Sequence, residues 1–196
     1  MSTGEKNVIG AIAALGVWPQ KKFMVQQRLG DGPTNETWLV TCEQEHYVLR
    51  LVKPFAVSVG LSLKDELHIT LAAQQRNLAP EVVASCVTSG IVLSRYVQGR
   101  PWTAGDLQNK QQLDLLANRL RQLHGLDCKA RLLDLRAVLQ DYAQRSTDAR
   151  AGTWRDSALA RLDEIDPREH TVCHNDLTAA NIIDNGTLCF IDWEYA

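Results

Sequence analysis

The stretch His174-Asn175-Asp176-Leu177-Thr178-Ala179-Ala180-Asn181, answered by Ile191-Asp192-Trp193-Glu194, decides how this chain is read. Asp176 and Asn181 stand five residues apart in what reads as a short loop, and Asp192 follows eleven residues after Asn181. Between them, Ile182-Ile183 and Leu188-Cys189-Phe190-Ile191 flank Asp184-Asn185-Gly186. An Asn-Gly pair between apolar runs is a strong hairpin signal. A hairpin here returns Asp192 to the side of Asn181, so one amide and two carboxylates converge. Hard oxygen donors of this kind suit Mg²⁺, which keeps several waters and takes phosphate oxygens as further ligands.

These residues resemble the catalytic segment of the protein-kinase-like fold in its small-molecule branch: the aminoglycoside phosphotransferase, choline kinase, ethanolamine kinase and thiamine kinase family. The kinase pattern is His-Arg-Asp, an Asn five residues after the Asp, and then Asp-Phe-Gly. Here it reads His174-Asn175-Asp176, Asn181 and Asp192-Trp193-Glu194. The resemblance implies that Asp176 is the catalytic base for an acceptor hydroxyl and that Asn181 and Asp192 hold Mg²⁺. Asn175 replaces the Arg that reads activation-loop phosphate in many protein kinases, which a kinase of metabolites does not need. The Asp192-Trp193-Glu194-Tyr195-Ala196 ending looks most like the choline and thiamine kinase branch. A solvated acidic turn is the plain alternative, against which stand three residue types at matching offsets.

The gross composition fits that resemblance. With 196 residues the chain can hold one sizeable core or two small lobes. Hydrophobic content of 45% and charged content of 22% are those of a globular protein. A net charge of −2 gives no reason to expect nucleic acid or an anionic membrane as partner. The five cysteines are scattered, odd in number and without a Cys-x-x-Cys pair, so neither a disulfide framework nor a zinc site is expected. A cytoplasmic location follows. Residues 8–18 are apolar but lack the preceding positive charge of a signal peptide and are too short to span a bilayer; a helix packed on the first lobe is expected.

Further along, residues 23–25 and 38–41 read as strands around Gly30-Asp31-Gly32-Pro33-Thr34-Asn35. Glycines let backbone N–H groups approach a polyanion. The turn resembles the loose phosphate-covering turn of choline and aminoglycoside kinases, which implies Gly30, Gly32, Thr34 and Asn35 as nucleotide contacts. An unliganded hairpin fits the local sequence equally well. The strand at 47–52 carries Arg50 where the family places its phosphate-binding cation, with Lys53 the rival should the register slip. Helical spacing over 63–76 puts Leu67, Leu71 and Ala72 on one face. Glu66 is the carboxylate implied to pair with Arg50, and Asp65 its neighbour and competitor. By the same resemblance the strand 91–97 leads into the inter-lobe hinge, where the backbone at Arg95 and Val97 would bind adenine with Ser94 behind it. Helices are expected over 107–125, 132–145 and 153–165, the last ended by Asp166-Pro167, and His174 is expected to be a prop rather than a base.

The expected fold is therefore α+β and two-lobed: residues 1–98 form a nucleotide-binding antiparallel sheet with a helix, and 99–196 a mainly helical lobe carrying the catalytic loop. The resemblance implies an ATP- and Mg²⁺-dependent kinase of a small-molecule alcohol: choline, ethanolamine or thiamine, or alternatively an aminoglycoside. Tyr195 and Trp193 are candidates for an aromatic wall against a cationic acceptor. Family members continue past this point with further helices, so truncation after Ala196 is expected, with an uncovered second lobe open to self-association. A catalytically silent nucleotide-binding remnant is the other reading.

Overall fold

A computed structural model describes residues 3–129, 131–165 and 170–196. By packing, the chain divides into two compact units: Met1–Cys128 with Val172–Ala196, and Lys129–Thr171. The first unit opens with helix α1 (Thr3–Leu15), followed by strands β1 (Phe23–Asp31), β2 (Asn35–Cys42) and β3 (Glu45–Val52). A one-turn helix α2 (Pro54–Ser58) and helix α3 (Leu63–Gln74) precede strands β4 (Val82–Cys86) and β5 (Ile91–Arg95). The five strands form an antiparallel sheet in the order β1-β2-β3-β5-β4.

Alternation along the strands divides this sheet into two faces. Trp38, Val40 and Cys42 on β2, Tyr47 and Leu49 on β3, and Ile91 and Leu93 on β5 are buried in one cluster with Val8, Ala11 and Ile12 of α1. Residues 8–15 of the apolar run thus belong to a helix that begins earlier, at Thr3, and packs on the sheet, while 16–18 lie beyond its end. The residues between these (Thr37, Val48, Arg50, Val92 and Ser94) face the other way and border a cleft. Helix α3 is capped by Ser62, whose hydroxyl accepts from the Asp65 N–H. Its buried stripe is Glu66, Leu67, Ile69, Thr70 and Ala73, and Leu71, expected inside, is 45% exposed. Leu71 lies outside this stripe although it is apolar, and Glu66 and Thr70 lie within it because their polar groups find partners there.

Past the first sheet, a two-residue strand β6 (Arg100–Pro101) begins a second one of order β6-β7-β8, with β7 (Ile182–Asp184) and β8 (Leu188–Phe190). The Asn185-Gly186 hairpin forms with a three-residue connection, since Asp184 pairs with Leu188. Gly186 adopts φ 94°, a conformation open to glycine at little cost. Helix α4 (Lys110–His124) is capped by Asn109 and ends at Gly125, and a 3₁₀ turn at Asp106–Gln108 replaces the start of the expected 107–125 helix. From α4, the Arg119 guanidinium donates to the Leu188 carbonyl at 2.9 Å and to that of Asn77. The second unit is a pair of packed helices, α5 (Leu135–Arg145) and α6 (Ala151–Asp163), joined by Arg136–Asp163 at 2.5 Å. Helix α5 starts three residues later than expected and α6 lies two residues earlier than expected, and the Asp166-Pro167 stop lies outside the described residues.

The crossing between the two sheets is tight. A Cβ on Gly99 would lie 2.6 Å from the Asp184 carbonyl oxygen and 2.7 Å from Ile183 Cγ2. Gly99→Ala is therefore expected to push β6 off β7 and lower stability by about 1–3 kcal/mol, as overpacking does. Urea denaturation of the two proteins side by side checks this, and an unchanged midpoint would refute it.

Candidate active site

The cleft on the open face of the first sheet has a volume of about 560 Å³. Its roof is the β1–β2 turn, its back wall the sheet and α3, and its floor the segment from Ala180 to Trp193. Of the residues singled out from sequence, Gly30, Gly32, Thr34, Asn35, Arg50, Glu66, Arg95, Val97, Asn181, Asp192 and Trp193 all border it. Asp176 joins this group through Asn181, and Tyr195 lies outside the lining.

Arg50 reaches the cleft because β3 alternates, with Leu49 in the core and Arg50 on the opposite face. The α3 carboxylate that meets it is Glu66, and the two form a largely buried ion pair. Burial pushes the Glu66 carboxyl above its ordinary value, against the pull of Arg50. Arg50 Nη1 also stands 3.8 Å from Asp192 Oδ1, so one guanidinium bridges α3 and the catalytic segment. Lys53, the rival to Arg50, is bonded to Asp31 at 2.5 Å and to the Gly32 carbonyl at 2.7 Å, where it anchors the turn. Gly30 lies within β1 opposite Thr37, so the turn proper is shorter than the sequence suggests. No atom comes within 4 Å of a Cβ built on Gly30, which leaves room above the strand.

At the end of β5, the Arg95 N–H is already given to the Glu81 carbonyl at 2.8 Å. Arg95 also pairs with Tyr47 of β3, whereas the main chain of Val97, beyond the strand, has no backbone partner among the described residues.

The catalytic segment is framed by side-chain bonds to main-chain carbonyls. Asn181 Nδ2 donates to the Asp176 carbonyl at 2.9 Å and to Asp176 Oδ2 at 3.3 Å. That leaves Asn181 Oδ1 unpartnered among the described residues, and a metal ligand needs that atom. The Ile191 N–H bonds the Asn181 carbonyl at 3.0 Å and so brings Asp192 beside Asn181. Asp192 has φ 65° and a side chain 43% exposed. Among the described residues no three His, Cys, Asp or Glu side chains cluster as a metal site. An amide and one carboxylate are a sparse donor set, which fits Mg²⁺ because that ion takes its remaining ligands from phosphate and water.

His174 is 3% exposed, and its Nε2 bonds the Ile191 carbonyl at 2.9 Å. Its ring lies 4.7 Å from that of Trp193. Nδ1 is buried without a partner, so a proton there would be stranded. Burial lowers the imidazole pKa, against the pull of Ile191, Asp192 and Asp176. Trp193 is itself buried, with its indole N–H on the Phe190 carbonyl at 2.9 Å. Tyr195 is 40% exposed, and its carbonyl accepts from Asn175 at 2.8 Å.

One functional residue was missed from sequence. Glu194 accepts from Thr34 Oγ1 at 3.2 Å and from Asn35 Nδ2, tying the roof of the cleft to the residue that follows its floor. Its place in the Asp-Trp-Glu motif was visible. The contact was not, because its partners lie 160 and 159 residues away.

The chain belongs to the phosphotransferase enzyme family, whose model matches residues 25–196. Solved kinase structures carry the same fold. The ethanolamine kinase of Plasmodium vivax is similar with TM-score 0.65 and 21% identity, over 89% of this chain and 56% of its own. The choline kinase LicA of Streptococcus pneumoniae gives 0.76 and 19%, over 99% and 69%. Aminoglycoside phosphotransferase APH(4)-Ia gives 0.65 and 15%, over 98% and 72%. This chain thus spans just over half the length of the ethanolamine kinase and about 70% of the other two. No curated protein matches the sequence.

Because folded His174 resists protonation, acid should act on stability through it. Its pKa is lowered by folding, so the unfolded chain binds the extra proton first, and stability falls as pH drops through and below 6.5. His174→Gln keeps an N–H donor for Ile191 but cannot titrate. Denaturation midpoints at pH 7.5 and 5.5 should show the parent losing more stability than the variant, and equal losses would refute this.

Proposed function

We propose that this chain is the nucleotide-binding and catalytic part of an ATP- and Mg²⁺-dependent kinase of a small-molecule alcohol. The observation that carries the reading is convergence. One cleft gathers a buried Arg50–Glu66 pair, Asn181 and Asp192 beneath a turn rich in polar donors, with Asp176 bonded to Asn181 at its edge. Arg50, held by Glu66, would bind phosphate through its planar fork. Gly30, Gly32, Thr34 and Asn35 would cover the phosphates, and the Arg95 carbonyl and Val97 main chain would hold adenine. Asn181 Oδ1 and Asp192 would carry Mg²⁺, which when bound neutralises charge on the transferring phosphoryl group. Asp176, steadied by Asn181, would orient the acceptor hydroxyl and take its proton. Catalysis is then mostly positioning and electrostatics.

On this reading residues 1–98 are the nucleotide lobe and 99–196 the catalytic lobe. The acceptor is a small alcohol of the choline, ethanolamine or thiamine kind, supported by the ethanolamine and choline kinases among the similar structures. An aminoglycoside acceptor is the second reading, supported by the likeness to APH(4)-Ia. Tyr195, exposed beside the catalytic segment, is the better placed of the two aromatic candidates for a cationic acceptor. Five free cysteines fit a reducing cytoplasm. No helix among the described residues is long and apolar enough to cross a membrane. Self-association through the exposed leucines of the second half, such as Leu132 and Leu135, stays part of the proposal.

Thermal denaturation with ATP, with and without Mg²⁺, is the first test. At a hundredfold excess over Kd the nucleotide should raise Tm by roughly 5–10 °C. Asp192→Ala should abolish the Mg²⁺-dependent part, whereas Asp176→Ala should keep the full shift and lose phosphoryl transfer to choline, thiamine or aminoglycosides. Absence of any nucleotide shift in a cooperatively melting chain would overturn the assignment. A full shift in Asp192→Ala would remove Asp192 from the metal site.

A further inference from the structure

The two side chains at the end of the β1–β2 turn line the cleft and point at Glu194, the residue just past its floor, rather than into open solvent. Thr34, 8% exposed, and Asn35 both donate to the Glu194 carboxylate. The other bonds to the turn come from its own sheet: Lys53 N–H to the Thr34 carbonyl at 2.7 Å, and Lys53 Nζ to Asp31 and Gly32. Among the described residues, Glu194 is the only partner the turn takes from the catalytic segment. A carboxylate offers two anionic oxygens in a plane and accepts the same hydrogen bonds as a phosphate. Glu194 therefore sits where the donors of the turn would otherwise meet a polyanion.

Resting on the nucleotide reading above, we propose that Glu194 is an internal competitor for the nucleotide phosphates, a latch that closes the turn on the catalytic segment when no nucleotide is bound. Binding exchanges two carboxylate bonds for two phosphate bonds, so the net gain from Thr34 and Asn35 is smaller than their geometry suggests. The latch acts on phosphate and not on the base. It weakens ligands whose phosphates must displace Glu194 and leaves ligands that do not reach it unaffected, and the turn opens only to a group able to replace a carboxylate.

The test is calorimetric titration of the parent and Glu194→Ala with adenosine, ADP and ATP in EDTA, which removes any metal contribution of Glu194. The variant is expected to bind ADP and ATP roughly tenfold more tightly, the equivalent of losing one charge-assisted competitor, with adenosine affinity unchanged. Glu36→Gln, which removes one negative charge from β2 without touching the latch, controls for net charge, and an equal gain there would overturn the proposal. So would unchanged or weaker ADP and ATP binding in Glu194→Ala. If neither protein binds any of the three ligands, the nucleotide reading fails and the latch with it. Binding by the parent without a gain in the variant sinks the latch alone. Hydrogen exchange of the Gly32, Thr34 and Asn35 amides gives a ligand-free readout: faster exchange in Glu194→Ala is expected, and no change would overturn the proposal. Should that variant not melt cooperatively, Glu194→Gln serves for both measurements. It keeps the shape but offers one acceptor oxygen in place of two and no charge, so it should show the same changes in smaller degree.

Discussion

The two-residue period of the first sheet is the constraint on which the rest depends. On β3 it sends Tyr47 and Leu49 under α1 and Val48 and Arg50 into the cleft. A slip of one residue would bury the guanidinium under the helix and bare the leucine. The full antiparallel ladder from β2 across to β5 makes such a slip costly, since every neighbour would have to follow. Placement of one charged side chain is thus secured by the packing of about ten apolar ones.

Once Arg50 is placed, the rest of the site is electrostatic. A buried guanidinium needs a counter-charge, and Glu66 supplies it from a helix whose first turn Ser62 fixes. The remaining reach of Arg50 goes to Asp192. Helix, sheet and catalytic segment therefore share one cation, and a disturbance at any of the three is felt at the others. The small second sheet provides the other half, since β6 draws the chain after the hinge against β7 and the hairpin returns Asp192 to Asn181.

Local chemistry made much of this legible in the sequence. The Asn-Gly hairpin and the strand carrying Arg50 each follow from a few adjacent residues, and the family resemblance supplied Glu66 as the partner of Arg50. What was hidden depended on distant partners. Leu71 read as core because its type is apolar, yet α3 turns its Glu66–Thr70 side inward to meet Arg50. The one-turn helix α2, the short strand β6 and the start of α1 at Thr3 carry little periodicity of their own. Glu194 looked like the tail of a motif, and only the folded chain shows what it holds.

Many of the bonds that frame the catalytic segment run from a side chain to a main-chain carbonyl: His174 to Ile191, Trp193 to Phe190, Asn175 to Tyr195, Arg119 to Leu188, Asn181 to Asp176. Every peptide offers the same acceptor whatever its side chain. Each such bond is therefore exposed to mutation at one end only. A lineage can exchange the acceptor residue's side chain freely so long as the backbone path holds. A framework wired in this way lets sequence drift far while the geometry stays put, which suits a fold shared at 15–21% identity.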